Sequence, residues 1–166
     1  MTRLLILLSI ALLTGCQTGA QEKKQAQNED KNHVFPVEKT DAEWKSELDP
    51  MAYYVLRKKG TEPPGSNKYN KFYKKGVYYC AGCRKPLYHS ENKYDSGSGW
   101  PAFDRGIDSN LEYSQDRSLG ALRTEVHCAN CGGHLGHVFE DGPRETTGMR
   151  HCINSAALKF EAKSDE

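Results

Sequence analysis

Residues 39–166 predict a small antiparallel β domain with short helices packed at its N-terminal side. Three observations carry that expectation. From Lys74 onward, short runs rich in β-branched and aromatic residues alternate with clusters of Gly, Asn, Asp and Pro. No long helical period interrupts them. Two Cys-x-x-Cys pairs, Cys80 with Cys83 and Cys128 with Cys131, sit beside turn-forming residues at the spacing of metal ligands. The chain of 166 residues is long enough for one domain with its own core. Its 23 Lys+Arg against 22 Asp+Glu form no basic stripe, so no nucleic-acid partner is expected.

The N-terminus differs from the rest. Residues 1–15, MTRLLILLSIALLTG, carry one positive charge at Arg3 and an apolar run from 4 to 13 broken only by Ser9. The run is too short to remain as a spanning helix and fits a secretory signal peptide. Leu13-Thr14-Gly15-Cys16 resembles the lipobox of bacterial lipoproteins, which implies cleavage before Cys16 and lipidation of that cysteine. An ordinary signal peptide with an incidental cysteine is the alternative. The expectation is an exported protein held at a membrane by lipid on Cys16, not one that crosses it. Residues 16–38 are dominated by Gln, Lys, Glu, Asn and Asp and read as a solvated tether. About 18 flexible residues would reach roughly 20–25 Å.

Folding is expected to begin at Thr40. Thr40 and Glu43 have the spacing of a capping box, and Trp44 and Leu48 fall four apart on one helix face. Asp49-Pro50 reads as a second N-cap with proline at the first helical position, and Gly60 as the stop. The Pro63-Pro64-Gly65 turn follows. Strand-like runs then occupy 76–79, 120–126, 137–140 and 156–161.

A knuckle of two thiolates offers two corners of a tetrahedron, and a second knuckle supplies the other two. The 44 residues from 84 to 127 are long for a compact zinc ribbon but would fit a β domain inserted between two hairpins. Structural zinc is the favoured reading; two disulfides, or one redox-active pair, are the alternatives in an exported protein. With Cys16 and the knuckles assigned, Cys152 is the odd thiol among six cysteines. If residues 149–155 form a strand, Arg150, Cys152 and Asn154 share a face. A cation there would favour the nucleophilic thiolate, and the amide could donate to an oxygen on the electrophile. A small buried core thiol is the bland alternative.

His134 and His137 follow the second knuckle among glycines, on an expected loop. They are candidates for acids or hydrogen-bond donors near pH 7, or for simple turn-stabilising residues. Trp100 lies in another glycine-flanked loop, where it would wall a pocket or plug the core.

The set GTEPP (60–64), CAGC (80–83), DSGSGWPAF (95–103), CANCGGHLGHVF (128–139), DGP (141–143) and RHCIN (150–154) resembles the B-type methionine sulfoxide reductases across 40–160. The resemblance implies a mainly β fold of two antiparallel sheets. It implies reduction of methionine-(R)-sulfoxide in oxidised proteins or peptides, with Cys152 as nucleophile and Arg150, His134, His137 and Asn154 as its companions. Trp100, with Phe103 in the same motif, would bind substrate, and the four knuckle cysteines would hold zinc. Many members of the family have a resolving cysteine where this chain has Ser98. A Cys152 sulfenic acid would therefore need an external thioredoxin-like reductant. Ala102 replaces a frequent serine. A zinc-bearing binding module and a CxxC disulfide oxidoreductase are the rival classes.

Overall fold

The computed structural model describes residues 33–65 and 67–163. The expected signal peptide, Cys16 and most of the tether lie outside these residues. From Phe35 onward the chain belongs to the compact unit. Val37 N–H donates to the Asn130 carbonyl at 2.8 Å, and the Phe35 ring meets His127 edge-on.

Helix α1 (Asp41–Glu47) starts with the expected capping box. Glu43 N–H donates to Thr40 Oγ1, and Thr40 N–H donates to Glu43 Oε2 at 2.7 Å, satisfying two donors that the first turn leaves open. Trp44 is the buried residue of this helix. Helix α2 (Pro50–Lys58) begins with proline, but the Asp49 side chain makes no cap hydrogen bond. Its stop is Lys59, in the left-handed region at φ 54, not Gly60 as expected. Gly60 serves instead because a Cβ there would come within 2.2 Å of the Tyr54 ring. Val55 and Leu56 carry the apolar face of α2 into the core.

Among the described residues, nine strands form two antiparallel sheets. The small sheet has the order β2 (Pro86–His89), β1 (Gly76–Cys80), β9 (Leu158–Ala162). The large sheet runs β3 (Lys93–Tyr94), β4 (Ala102–Phe103), β8 (Arg150–Ile153), β7 (His134–Phe139), β6 (Arg123–Cys128), β5 (Leu111–Asp116). The two sheets meet through aromatic rings. Tyr88 of β2 stacks on Phe103 of β4 at 4.4 Å between centroids, and Tyr78 of β1 meets Phe103 edge-on at 5.1 Å. The segment containing His134 and His137, expected as a loop, is strand β7, hydrogen-bonded on both edges. Gly136 permits this: a Cβ there would lie 2.0 Å from the Cys152 carbonyl oxygen of β8.

Strand β8 alternates faces as a strand should. His151 points into the core, hydrogen-bonded to the Tyr88 hydroxyl at 3.2 Å, and burial pushes its pKa down to about 4. An unfolded histidine titrates near 6.5. Between these values the unfolded chain binds more protons, so the contribution of His151 is complete above about pH 6.5 and is lost as pH falls toward 4. Its size is about 3 kcal/mol. Urea unfolding at pH 7 and pH 4.5 checks this: the drop in midpoint is expected to be smaller in His151→Gln than in the parent. Equal drops would mean that other groups carry the acid sensitivity.

Candidate active site and metal centre

The two knuckles converge. Cys80 ends β1 and Cys128 ends β6, and in each case the next residue but three adopts positive φ: Arg84 at 63° and Gly132 at 66°. That left-handed residue turns the chain so that Arg84 N–H returns to the Cys80 carbonyl at 3.0 Å and Gly132 N–H to the Cys128 carbonyl at 2.8 Å. The four Sγ atoms lie within 4.8 Å of one another. Cys80 and Cys131 are 3.7 Å apart, and Cys83 and Cys128 are 3.5 Å apart. A tetrahedron with metal–sulfur bonds of about 2.3 Å has edges of about 3.8 Å, so the cluster fits one metal ion. A disulfide needs about 2.05 Å, and all four cysteines are free, which disfavours the two-disulfide alternative.

The second site is a row across the large sheet. Cys152 pairs with Ala102 on one side and His137 on the other. Ala102 pairs in turn with Tyr94, and His137 with Glu125. Directly paired residues project from the same face, so these side chains form one line with the thiol at its centre. Arg150 and Phe139, paired with each other, lie on the same face one step along.

Over this row opens a cavity of about 140 Å³. Trp100 and Phe139 give it apolar walls, Cys152 and Asn154 lie along β8 and its end, and His137 and Arg123 supply cationic or proton-bearing groups. The Trp100 ring is fixed by its Nε1–H, which donates to the Glu62 carbonyl at 3.0 Å. Glu62 is itself clamped. Its N–H donates to Asn154 Oδ1 at 3.0 Å, and its carboxylate accepts from the N–H groups of Ser155 and Ala156. The pocket wall and the end of β8 are thus one hydrogen-bonded unit.

Each histidine has its own carboxylate. His137 Nε2–H donates to Asp116 Oδ2 and His134 Nδ1–H to Glu125 Oε1, both at 2.7 Å. His137 lines the cavity. His134, only 2 % exposed, stands behind it at 5.4 Å between ring centroids. Burial lowers the His137 pKa more than the Asp116 carboxylate raises it. Burial raises Glu125, but hydrogen bonds from His134 and Lys59 outweigh this and bring it to about 2.

Cys152 Sγ lies 3.9 Å from Ser98 Oγ, which is 2.8 Å from Ser96 Oγ. Burial raises the thiol's pKa; the Ser98 hydroxyl and the Arg150 guanidinium pull it the other way. Arg150 helps less than its place in the sequence suggests. Its Nε–H and Nη2–H donate to the two oxygens of Asp141 at 2.7 and 2.9 Å. Asn154 is also largely committed, since its Nδ2 donates to the Leu135 carbonyl at 3.0 Å. It keeps one N–H free beside the cavity.

The structure brings Cys152, His137, Trp100 and Asn154 together around the cavity. His134 and Arg150 adjoin it. Phe103 does not reach it and corrects the expectation of a substrate contact: it is 0 % exposed, between Tyr88 and Tyr78 in the core. The reason is parity, because Ala102 before it occupies the site face of β4. Glu62, Asp116, Glu125 and Asp141 were not singled out from the sequence. Only Glu62 and Asp141 carried any signal, as members of the GTEPP and DGP motifs.

Fold and site together define a two-sheet β protein with a four-cysteine cluster able to hold a metal ion and a separate thiol at an apolar pocket. The SelR domain family matches residues 48–162. A peptide methionine sulfoxide reductase MsrB of Bradyrhizobium diazoefficiens is 52% identical over 128 residues, covering 76% of this chain and 91% of that protein. The MsrB of Leptospira interrogans is 51% identical, covering 76% and 97%. Peptide methionine sulfoxide reductase B5 of Oryza sativa is 49% identical, covering 76% and 93%. The chain belongs to the MsrB family of SelR-domain proteins.

Proposed function

We propose that this chain is a peptide-methionine (R)-S-oxide reductase, converting methionine-(R)-sulfoxide residues of oxidised proteins to methionine. The observation that carries the reading is the Cys152 thiol at the floor of the Trp100 pocket, beside the carboxylate-held His137, in a chain of the MsrB family.

The chemistry follows from the positions. The S-methyl group rests against Trp100 and Phe139, which puts the sulfoxide sulfur over Cys152 Sγ. The thiolate attacks that sulfur. His137, oriented by its Nε2–H bond to Asp116 Oδ2, gives a proton from its other ring nitrogen to the sulfoxide oxygen, and the Asn154 side-chain N–H donates a hydrogen bond to it. In the adduct the oxygen passes from the substrate sulfur to Cys152 sulfur as the S–O bond and the newly formed S–S bond both break, so methionine leaves with the electron pair and Cys152 is left as a sulfenic acid. An external thiol then attacks Cys152 sulfur, expelling water and forming a mixed disulfide. A second thiol releases the cysteine and leaves the reductant as disulfide. With Ser98 in contact with the nucleophile and the knuckle thiols committed to metal, no internal disulfide takes part. A thioredoxin-like protein suits the reductant's role.

The metal that suits a closed four-thiolate set is zinc, in a structural role that leaves no open coordination position for substrate. Residues 1–15 and Cys16 support an exported, lipid-anchored enzyme that repairs proteins at a membrane face. Among the described residues no helix is long and apolar enough to cross a membrane. Intact mass of membrane-extracted protein, lacking residues 1–15 and carrying acyl chains on Cys16, checks the anchoring; a full-length unmodified N-terminus would remove it.

The activity is tested with a peptide carrying racemic methionine sulfoxide, dithiothreitol as reductant, and chiral separation of the epimers. Loss of the R epimer alone is expected. Consumption of neither epimer by metal-replete protein ends the reading. After one turnover without reductant, thiol counting should find no new protein disulfide.

A further inference from the structure

The row through Cys152 contains a group that the proposed reaction does not use. Tyr94 of β3 lies on the site face, two strands from Cys152, with Ala102 between them. The residue between them in the row, Ala102, carries only a methyl group. The Tyr94 hydroxyl is buried and has no hydrogen-bond partner among the described residues. A buried hydroxyl without a partner is uncommon in native proteins and costs stability. Its charged neighbours are Arg150, Asp141, Cys152 and Asp104.

Tyr94 does not face the substrate cavity. It lines a second one, of about 510 Å³, together with Ser98, Arg150 and Asp141. Ser98 is the residue whose hydroxyl touches Cys152 Sγ. Cys152 itself lines only the Trp100 cavity, which receives substrate, and Ser98 stands between the thiol and the more polar second cavity.

We propose that the Tyr94 hydroxyl is the hydrogen-bond donor that holds the oxygen left on Cys152 after methionine departs, turning it to the Ser98 flank. The inference rests on the sulfenic acid of the proposed reaction. Burial raises the pKa of the phenol, so it stays protonated and able to donate at neutral pH. Held this way, the sulfenic acid presents its sulfur to an incoming thiol, and its own lone pairs are less available for a second oxidation. The step balances: Cys–SOH and a reductant thiol give a mixed disulfide and water, the phenol neither gaining nor losing its proton overall.

The test compares Tyr94→Phe with the parent, since this change removes one oxygen and keeps the ring. Methionine released in a single turnover without reductant is expected at the same rate in both, within about twofold. The sulfenic acid so formed is then exposed to hydrogen peroxide, and conversion to sulfinic acid is followed by mass spectrometry. Loss of one hydrogen bond to a polar oxygen predicts about tenfold faster over-oxidation in Tyr94→Phe. Steady-state kcat with dithiothreitol should fall in the same variant while the KM for sulfoxide is unchanged. Equal over-oxidation rates would overturn the proposal, as would a variant that loses the single-turnover burst. A parent that shows no burst would instead defeat the reductase reading itself.

Discussion

Cys152→Ser abolishes consumption of methionine-(R)-sulfoxide and leaves metal content and melting temperature unchanged. The expected loss is at least about a thousandfold, because a serine hydroxyl is a far weaker nucleophile than a thiolate and a poorer acceptor of the transferred oxygen. The structure explains why the fold should tolerate the change. Cys152 is partly exposed on the site face of β8, while its neighbours His151 and Ile153 carry the packing on the other face. The measurement is the same epimer assay, with metal content and thermal unfolding read in parallel. Residual turnover within tenfold of the parent would place the nucleophile elsewhere. Only Cys80, Cys83, Cys128 and Cys131 remain as thiols among the described residues, so the metal centre would then have to be redox-active.

Cys128→Ser, or removal of the metal by a chelator, is expected to cost the domain its fold. Structural zinc in small domains binds with about 10–16 kcal/mol, comparable to the whole stability of an ordinary domain at about 5–15 kcal/mol. The cluster links Cys80 at the end of β1 to Cys128 at the end of β6, one in each sheet, so its loss separates parts that otherwise meet mainly through aromatic contacts. The melting temperature should fall by more than about 15 °C, with one zinc released per chain. Metal-stripped protein that melts within a few degrees of the parent, with its four thiols oxidised in pairs, would revive the disulfide alternative.

Local features were legible in the sequence. The Thr40–Glu43 capping box, Pro50 at the start of α2 and both knuckles are set by residues a few positions apart, and each was found where expected. The fold class followed from the spacing of short β runs. The stop of α2 was displaced by one residue because Lys59 accepts the left-handed conformation while Gly60 is needed for contact with Tyr54. Strands β3 and β4 have only two residues each, too short to leave a pattern. The carboxylates were hidden for a different reason. Asp116 meets His137, and Glu62 meets Asn154, only once strand register is known. Phe103 was misplaced by the same gap: its face follows from Ala102 pairing with Cys152, which no local signal reveals.

Each knuckle is built between two strands that are neighbours in one sheet. Cys80 and Cys83 lie in the β1–β2 turn, and Cys128 and Cys131 in the β6–β7 turn, so each half-site can form within one hairpin. The remaining partner of β1 is β9, from the end of the domain, with Gly76 opposite Ala162. During folding, the hairpins are fast local events, whereas closing β1 onto β9 must wait for almost the whole chain. A metal captured by the two turns would join them across residues 84–127 before that last strand arrives. The ion then acts as an early tether in the order of assembly, and the long-range pairing that follows starts from a loop already closed.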